Sequence, residues 1–210
     1  MWSDTFVLAA RMKGPLLAWT AGMIVAATAV DQMEAAEATT LPMSILGVVA
    51  QTYIVTAGLR VGLGAEAQAA IRPNFARVLG IGLLSGIAIL LGGLLLVIPG
   101  VFLLIRWWVA VPVALDRNIS VTEALRESWQ LTASHWAPIL GLFLGLLAML
   151  VVPMFGFGLY GGLEEEGVSL PVSLGTNIVA YGVTFIGTVS TVAVYRAISD
   201  RTTDLRAVFE

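Results

Sequence analysis

Arg106 is the only charged side chain within the long apolar stretches of this sequence, and Trp107 and Trp108 follow it directly. A cation in hydrocarbon is costly unless it finds a partner. The position is therefore read in one of two ways. It contacts an anion, a lipid phosphate or a partner carboxylate, or it snorkels to the nearer interface and tethers a turn at Pro99-Gly100 with the tryptophans packed beside it. A second pattern lies further along: Asn177, Tyr181, Thr184, Thr188, Thr191 and Tyr195 follow steps of 4, 3, 4, 3 and 4 and so share one face of a helix. That face either lines a polar path or supplies hydrogen bonds between helices, the commoner use of Thr and Tyr in membranes. Ser44, Gly47, Gln51 and Gly58 form a weaker companion face. A proton- or ion-coupled transporter normally carries an intramembrane acid, and these stretches hold none, which favours packing over conduction.

Other residues exclude chemistry. The chain contains no Cys, which removes disulfides, thiolate nucleophiles and cysteine-ligated zinc or iron-sulfur sites. His135 is the single histidine; a histidine metal cluster is impossible, and beside Trp136 it reads as an interfacial residue rather than a general base. Gly156-Phe-Gly-Leu-Tyr-Gly161 has the spacing of a dinucleotide-binding turn, but it lies between an apolar run and Glu164, Glu165 and Glu166 and is expected to be a loop. No nucleophile, base and orienting group can be assembled, so neither enzyme activity nor a cofactor is expected.

The elements that position these residues follow from composition. Of 210 residues, 58% are hydrophobic and 12% charged, the latter about half the share of globular chains. Charge-free stretches run over 14–30, 38–59, 78–105, 128–163 and 167–195, and most exceed the ~20 apolar residues that span a bilayer. The expected class is all-α, a polytopic membrane protein forming one integral membrane domain over 1–210. The net charge of -3 argues against nucleic acid as a partner. Arg11, Lys13, the apolar run and Ala27-Thr-Ala29 imitate a secretory signal, yet the further spans favour a retained first helix. Six spans are expected, at 14–30, 41–59, 78–98, 101–115, 137–155 and 174–195. With the N-terminus inside, ten of eleven cations are cytoplasmic, while the opposite loops carry Asp31, Glu34, Glu37 and Glu164 to Glu166. Joining 78–105 into one helix would move Arg106 and five later arginines outside, so both termini are expected in the cytoplasm. Pro99-Gly100 is read as the tip of a helical hairpin that spans or re-enters, because a second arm of about 15 residues reaches only ~22 Å.

Ser120 and Glu123 match a capping box, so a helix should start there. Val121, Leu125, Trp129 and Thr132, with Ser128 alongside, recur at helical spacing, while Glu123, Arg126, Glu127 and Gln130 fill the other surface. This is the pattern of an interfacial helix, serving as a connector or as a partner- or lipid-sensing surface. Trp2, Phe6 and Ala10 hint at another before the first span. Gly82-xxx-Gly86 and Gly141-xxx-Gly145 are small-residue spacings that permit close helix approach. Lys13-Gly-Pro-Leu-Leu-Ala18, Phe75-Ala-Arg-Val-Leu-Gly80 and Trp136-Ala-Pro-Ile-Leu-Gly141 start 62 and 61 residues apart, each nine residues after an acid (Asp4, Glu66, Glu127). They suggest a three-fold repeat, 1–60, 61–117 and 118–210.

Leu96-Val-Ile-Pro-Gly-Val-Phe-Leu-Leu-Ile-Arg-Trp107, Val111-Pro112 and Val121-Thr-Glu-Ala-Leu-Arg-Glu-Ser-Trp-Gln-Leu-Thr132 carry a resemblance that covers about residues 90–141. The stretch resembles a bacterial family that includes the membrane domain fused to some glycerophosphoryl diester phosphodiesterases and related stand-alone inner-membrane proteins. The resemblance implies an all-helical inner-membrane domain and no phosphodiesterase activity, which belongs to a separate soluble barrel. The combined expectation is a non-enzymatic scaffold, accessory subunit or lipid-contacting module whose partners are membrane lipids, other membrane subunits or a second copy. The alternative is a small-solute or lipid transporter lined by the last helix. Arg106, Trp107, Trp108, Glu123, Arg126, Trp129, Asn177, Tyr181, Thr184 and Thr188 are the candidate contact residues.

Overall fold

The computed structural model describes residues 5, 7, 8, 10, 15–31, 36–61, 63, 65–161 and 169–209, with side chains outside 15–16, 36–41, 65–67, 160–161 and 200–209. Trp2, Phe6, Glu34 and Glu164 to Glu166 lie outside the described residues, as does the side chain of Glu37. Every regular element described is a helix: α1 (Pro15–Asp31), α2 (Ala36–Arg60), α3 (Ala65–Ala70), α4 (Phe75–Leu95), α5 (Val97–Arg106), α6 (Ala110–Arg117), α7 (Val121–Thr132), α8 (Trp136–Gly161) and α9 (Leu170–Phe209). Among the described residues five segments are long and apolar enough to cross a bilayer: Pro42–Arg60, Phe75–Leu95, Val97–Arg117, Trp136–Leu159 and Leu170–Ser199. Leu17–Asp31 is an apolar helix of shorter length. The chain is a helical membrane protein, and its outer surface fits that solvent. Leu83, Leu90, Val152 and Phe155 are exposed, whereas Val55, Val109, Val113, Ala124, Ile139 and Val192 fill the interior where α2, α6, α7, α8 and α9 meet.

The hairpin differs from the sequence expectation. Its tip is Leu96, in extended conformation (φ -162, ψ 139), and Pro99 and Gly100 belong to the first turn of α5. A proline there removes an N–H that has no intrahelical partner anyway. Gly100 serves close approach instead: a Cβ on it would stand 2.9 Å from the N and Cα of Gly93. The second arm is long enough to cross because it continues through α6 to Arg117. It is broken at 107–109, since Pro112 offers no N–H to the Trp108 carbonyl and its ring would clash there. The break releases the Arg106 carbonyl, which accepts hydrogen bonds from Ser128 Oγ (2.8 Å) and Thr132 Oγ1 (3.1 Å) of α7.

α7 starts as the sequence predicts. Ser120 Oγ accepts from the Glu123 N–H (3.4 Å), and the Glu123 carboxylate accepts from the Ser120 N–H (3.0 Å). Its buried face is Ala124, Leu125, Ser128 and Thr132; Val121 packs against Gly80, and Trp129 lies at the edge, 37% exposed. The small-residue pairs correct another expectation: Gly82, Gly86 and Gly141 face open space, and the close approaches are at Gly58, Gly80, Gly92, Gly100 and Gly175. Gly156 and Gly158 also face open space within the last turns of α8, so that segment is helix, not loop.

The arginines gather at one end of the bundle. Arg60 donates to the Ile71 carbonyl, Arg77 to Asn118 Oδ1 and the Ala114 carbonyl, and Arg196 to the carbonyls of Leu59 and Val61. Arg117 pairs with Glu127 at the same end.

Candidate functional site

Two elements meet at Arg106: the broken second arm, which places it at the last turn of α5, and α7, which covers it. Its Cζ lies 4.9 Å from the Phe102 ring centroid and 5.2 Å from that of Trp129. Trp129 meets Phe102 edge-on (5.5 Å, 82°) and tilts against Trp107 (6.4 Å). Arg106 Nε and Nη1 are buried and have no hydrogen-bond partner. The acids of α7 are engaged elsewhere, Glu123 with Ser120 and Glu127 with Arg117. Two cation–π contacts contribute ~0.5–2 kcal/mol each, whereas buried charged donors left unpaired cost ~1–3 kcal/mol or more apiece. The rings therefore offset part of the cost of the burial.

Above this box runs a surface groove of about 460 Å³, lined by Trp107, Leu125, Arg126, Trp129 and Gln130. Arg126 is exposed at its rim. The expected tether between Arg106 and the hairpin tip is not formed: Arg106 ends a helix of 10 residues that begins just after the tip, about 15 Å away at 1.5 Å per residue. Trp108 leaves the group as well, packing edge-on against Phe143 (6.2 Å, 80°) on the opposite side. Glu123 is a cap rather than a ligand, and the hydrogen bonds from the Ser120 side chain and backbone hold its carboxyl below the usual carboxylate range.

The polar stripe of α9 divides into three parts. Asn177 donates to Asp31 Oδ2 (2.7 Å) and Thr28 Oγ1 (3.3 Å), and Ser173 also donates to Asp31 (2.7 Å), joining α9 to α1. Thr184, Thr188 and Thr191 donate to the carbonyls of Ala180, Thr184 and Thr188 in their own helix. Tyr195 donates to Asp116 Oδ2 (2.5 Å). The companion face of α2 does meet this stripe, since Gly47 and Gln51 share a cleft of about 70 Å³ with Tyr181, Thr184 and Thr188. At ~10–15 Å³ per water this holds a handful of waters and is no continuous path.

A site the sequence reading missed lies at the arginine end. A cavity of about 490 Å³ is lined by Asp116, Arg117, Glu127, His135, Tyr195 and Ser199, among others. His135 Nδ1 shares a hydrogen bond with Ser134 Oγ (2.9 Å). The signal was the charged pair Asp116-Arg117 directly after an apolar run, next in space to a tyrosine already singled out. Among the described residues no cluster of His, Asp and Glu can hold a metal ion. Comparison with protein-family models, curated proteins and solved structures finds no match to this chain.

Proposed function

We propose that the chain is a non-enzymatic membrane scaffold, accessory subunit or lipid-contacting module. The observation that carries this reading is where the polar groups go. The α9 threonines bond to their own backbone, and Ser128 and Thr132 cap the carbonyl freed by the helix break. The bonds from Ser128 and Thr132 join two elements of the bundle, and those of the threonines satisfy their hydroxyls within α9, which supports a packing role for these groups. We assign the chain to a bacterial inner membrane with both termini cytoplasmic, supported by the clustering of Arg60, Arg77, Arg117 and Arg196 at one end. Its proposed partners are lipids together with other membrane subunits or a second copy.

A transporter is the second reading, and the cleft shared by Gln51 and Tyr181 is the observation in its favour. Purification in mild detergent followed by native mass spectrometry separates the two. Co-purifying protein subunits or a stable oligomer are expected. A stoichiometric small solute with no protein partner contradicts the scaffold.

A further inference from the structure

We propose that the cavity among α6, α7, α9 and the turn before α8 binds a small organic amine by its ammonium group, with the carboxylates of Asp116 and Glu127 as acceptors. The inference goes beyond the scaffold reading and does not depend on it. At about 490 Å³ the cavity lies within the size range of small-molecule sites. Its acids are held in place. Tyr195, only 4% exposed, donates to Asp116 Oδ2 at 2.5 Å, and Arg117 pairs with Glu127 through Oε1. Asp116 itself is exposed, so a ligand reaches it from solvent.

Charge decides the sign of the ligand. Among the described residues that line the cavity, the ionised groups at neutral pH are two carboxylates and one guanidinium, and that guanidinium is engaged by Glu127. Arg196, next in sequence to Tyr195, turns instead to the carbonyls of Leu59 and Val61 on the side of α2. Asp116 Oδ1 and Glu127 Oε2 accept no hydrogen bond from any described residue. Excess negative charge with free acceptor oxygens disfavours phosphates and carboxylates and favours a cation that donates. A metal ion is the wrong cation, because no described His, Asp and Glu stand close enough together to hold one, His135 included. An ammonium carries three N–H donors and suits acceptors that are set apart. Leu131 and Ile198 line the same cavity and offer an apolar side to a short alkyl body. Free amines and aminophospholipid headgroups both present this group.

The test uses the full chain in detergent at low ionic strength, titrated with butylammonium chloride and followed by ligand-observed NMR, with sodium butyrate and magnesium chloride as controls. Butylammonium is expected to bind about tenfold more tightly than butyrate, and its affinity is expected to fall as salt is raised. Asp116→Asn and Ser134→Lys, the second placing a fixed cation at the exposed turn, are each expected to weaken it about fivefold. Phosphatidylethanolamine that displaces butylammonium assigns the site to a headgroup, and binding indifferent to that lipid assigns it to a free amine. Equal binding of butylammonium and butyrate, or an affinity untouched by both substitutions in monodisperse protein, overturns the site. Displacement of the amine by equimolar magnesium overturns the amine as occupant. If Asp116→Asn loosens the contact with Tyr195 and does not purify, Ser134→Lys decides the matter.

Discussion

The Trp129 ring lies over the Arg106 guanidinium, its centroid 5.2 Å from Cζ, while Ser128 and Thr132 of the same helix donate to the Arg106 carbonyl. α7 thus covers the cation with one residue and repairs the helix break with two others. Charge, break and interfacial helix form a single unit, and changes to any of the three should be felt by the other two.

Replacing Trp129 with Ala removes its ring from both Arg106 and Phe102. A loss of about 1–3 kcal/mol is expected, with a lower midpoint in thermal unfolding in detergent. Gln130→Ala, one residue on at the exposed surface, is expected to stay within ~0.5 kcal/mol of wild type. Equal midpoints for the two variants would show that Trp129 does not hold α7 in place.

The capping box carries a pH dependence. Because the folded carboxyl of Glu123 is held below its ordinary range, it contributes stability above its unfolded pKa and loses it as pH falls through the folded one. Glu123→Gln should therefore unfold at a lower temperature than wild type at neutral pH. The gap should close in acid, below the usual carboxylate range. A gap independent of pH would locate the effect in side-chain packing.

Tyr195 is buried and donates to the more exposed Asp116 at 2.5 Å. A double-mutant cycle of Tyr195→Phe and Asp116→Asn should give a coupling of about 1–2 kcal/mol. Strict additivity in chemical or thermal unfolding would mean that the contact adds nothing to the joint between α6 and α9.

Gly100 and Gly82 offer a contrast within one hairpin. A Cβ at Gly100 meets the Gly93 backbone at 2.9 Å, so Gly100→Ala should force the arms apart and cost about 1–3 kcal/mol. Gly82 faces open space, so Gly82→Ala should be neutral or gain up to ~1 kcal/mol of helix propensity. The opposite order in unfolding midpoints would place the hairpin contact at the Gly82-xxx-Gly86 spacing.

Hydropathy alone locates the helices, because apolar length reflects the bilayer and not the tertiary contacts. The capping box was equally legible, being local in sequence. Contacts set at a distance were not. The Pro99-Gly100 pair suggests a turn, but a proline in a first helical turn has the same local signature, and only the approach of Gly100 to Gly93 distinguishes the two. Spacing puts Ser128 and Thr132 on the stripe of Val121, Leu125 and Trp129 but does not show what they bond to, since their acceptor exists only because Pro112 breaks a helix elsewhere in the chain. The α9 stripe reads as bonding between helices, and periodicity cannot reveal that Thr184, Thr188 and Thr191 bond back to their own turns instead.

On the scaffold reading, the polar face of α9 packs rather than conducts. The chain has no Cys, so single cysteines introduced at 177, 181, 184, 188, 191 and 195 are each unique targets for a water-soluble thiol reagent. Labelling confined to the two ends of the stripe, with 184 and 188 protected, is the outcome predicted for a scaffold. A labelled stripe along its full length would require a water-filled path and contradict it.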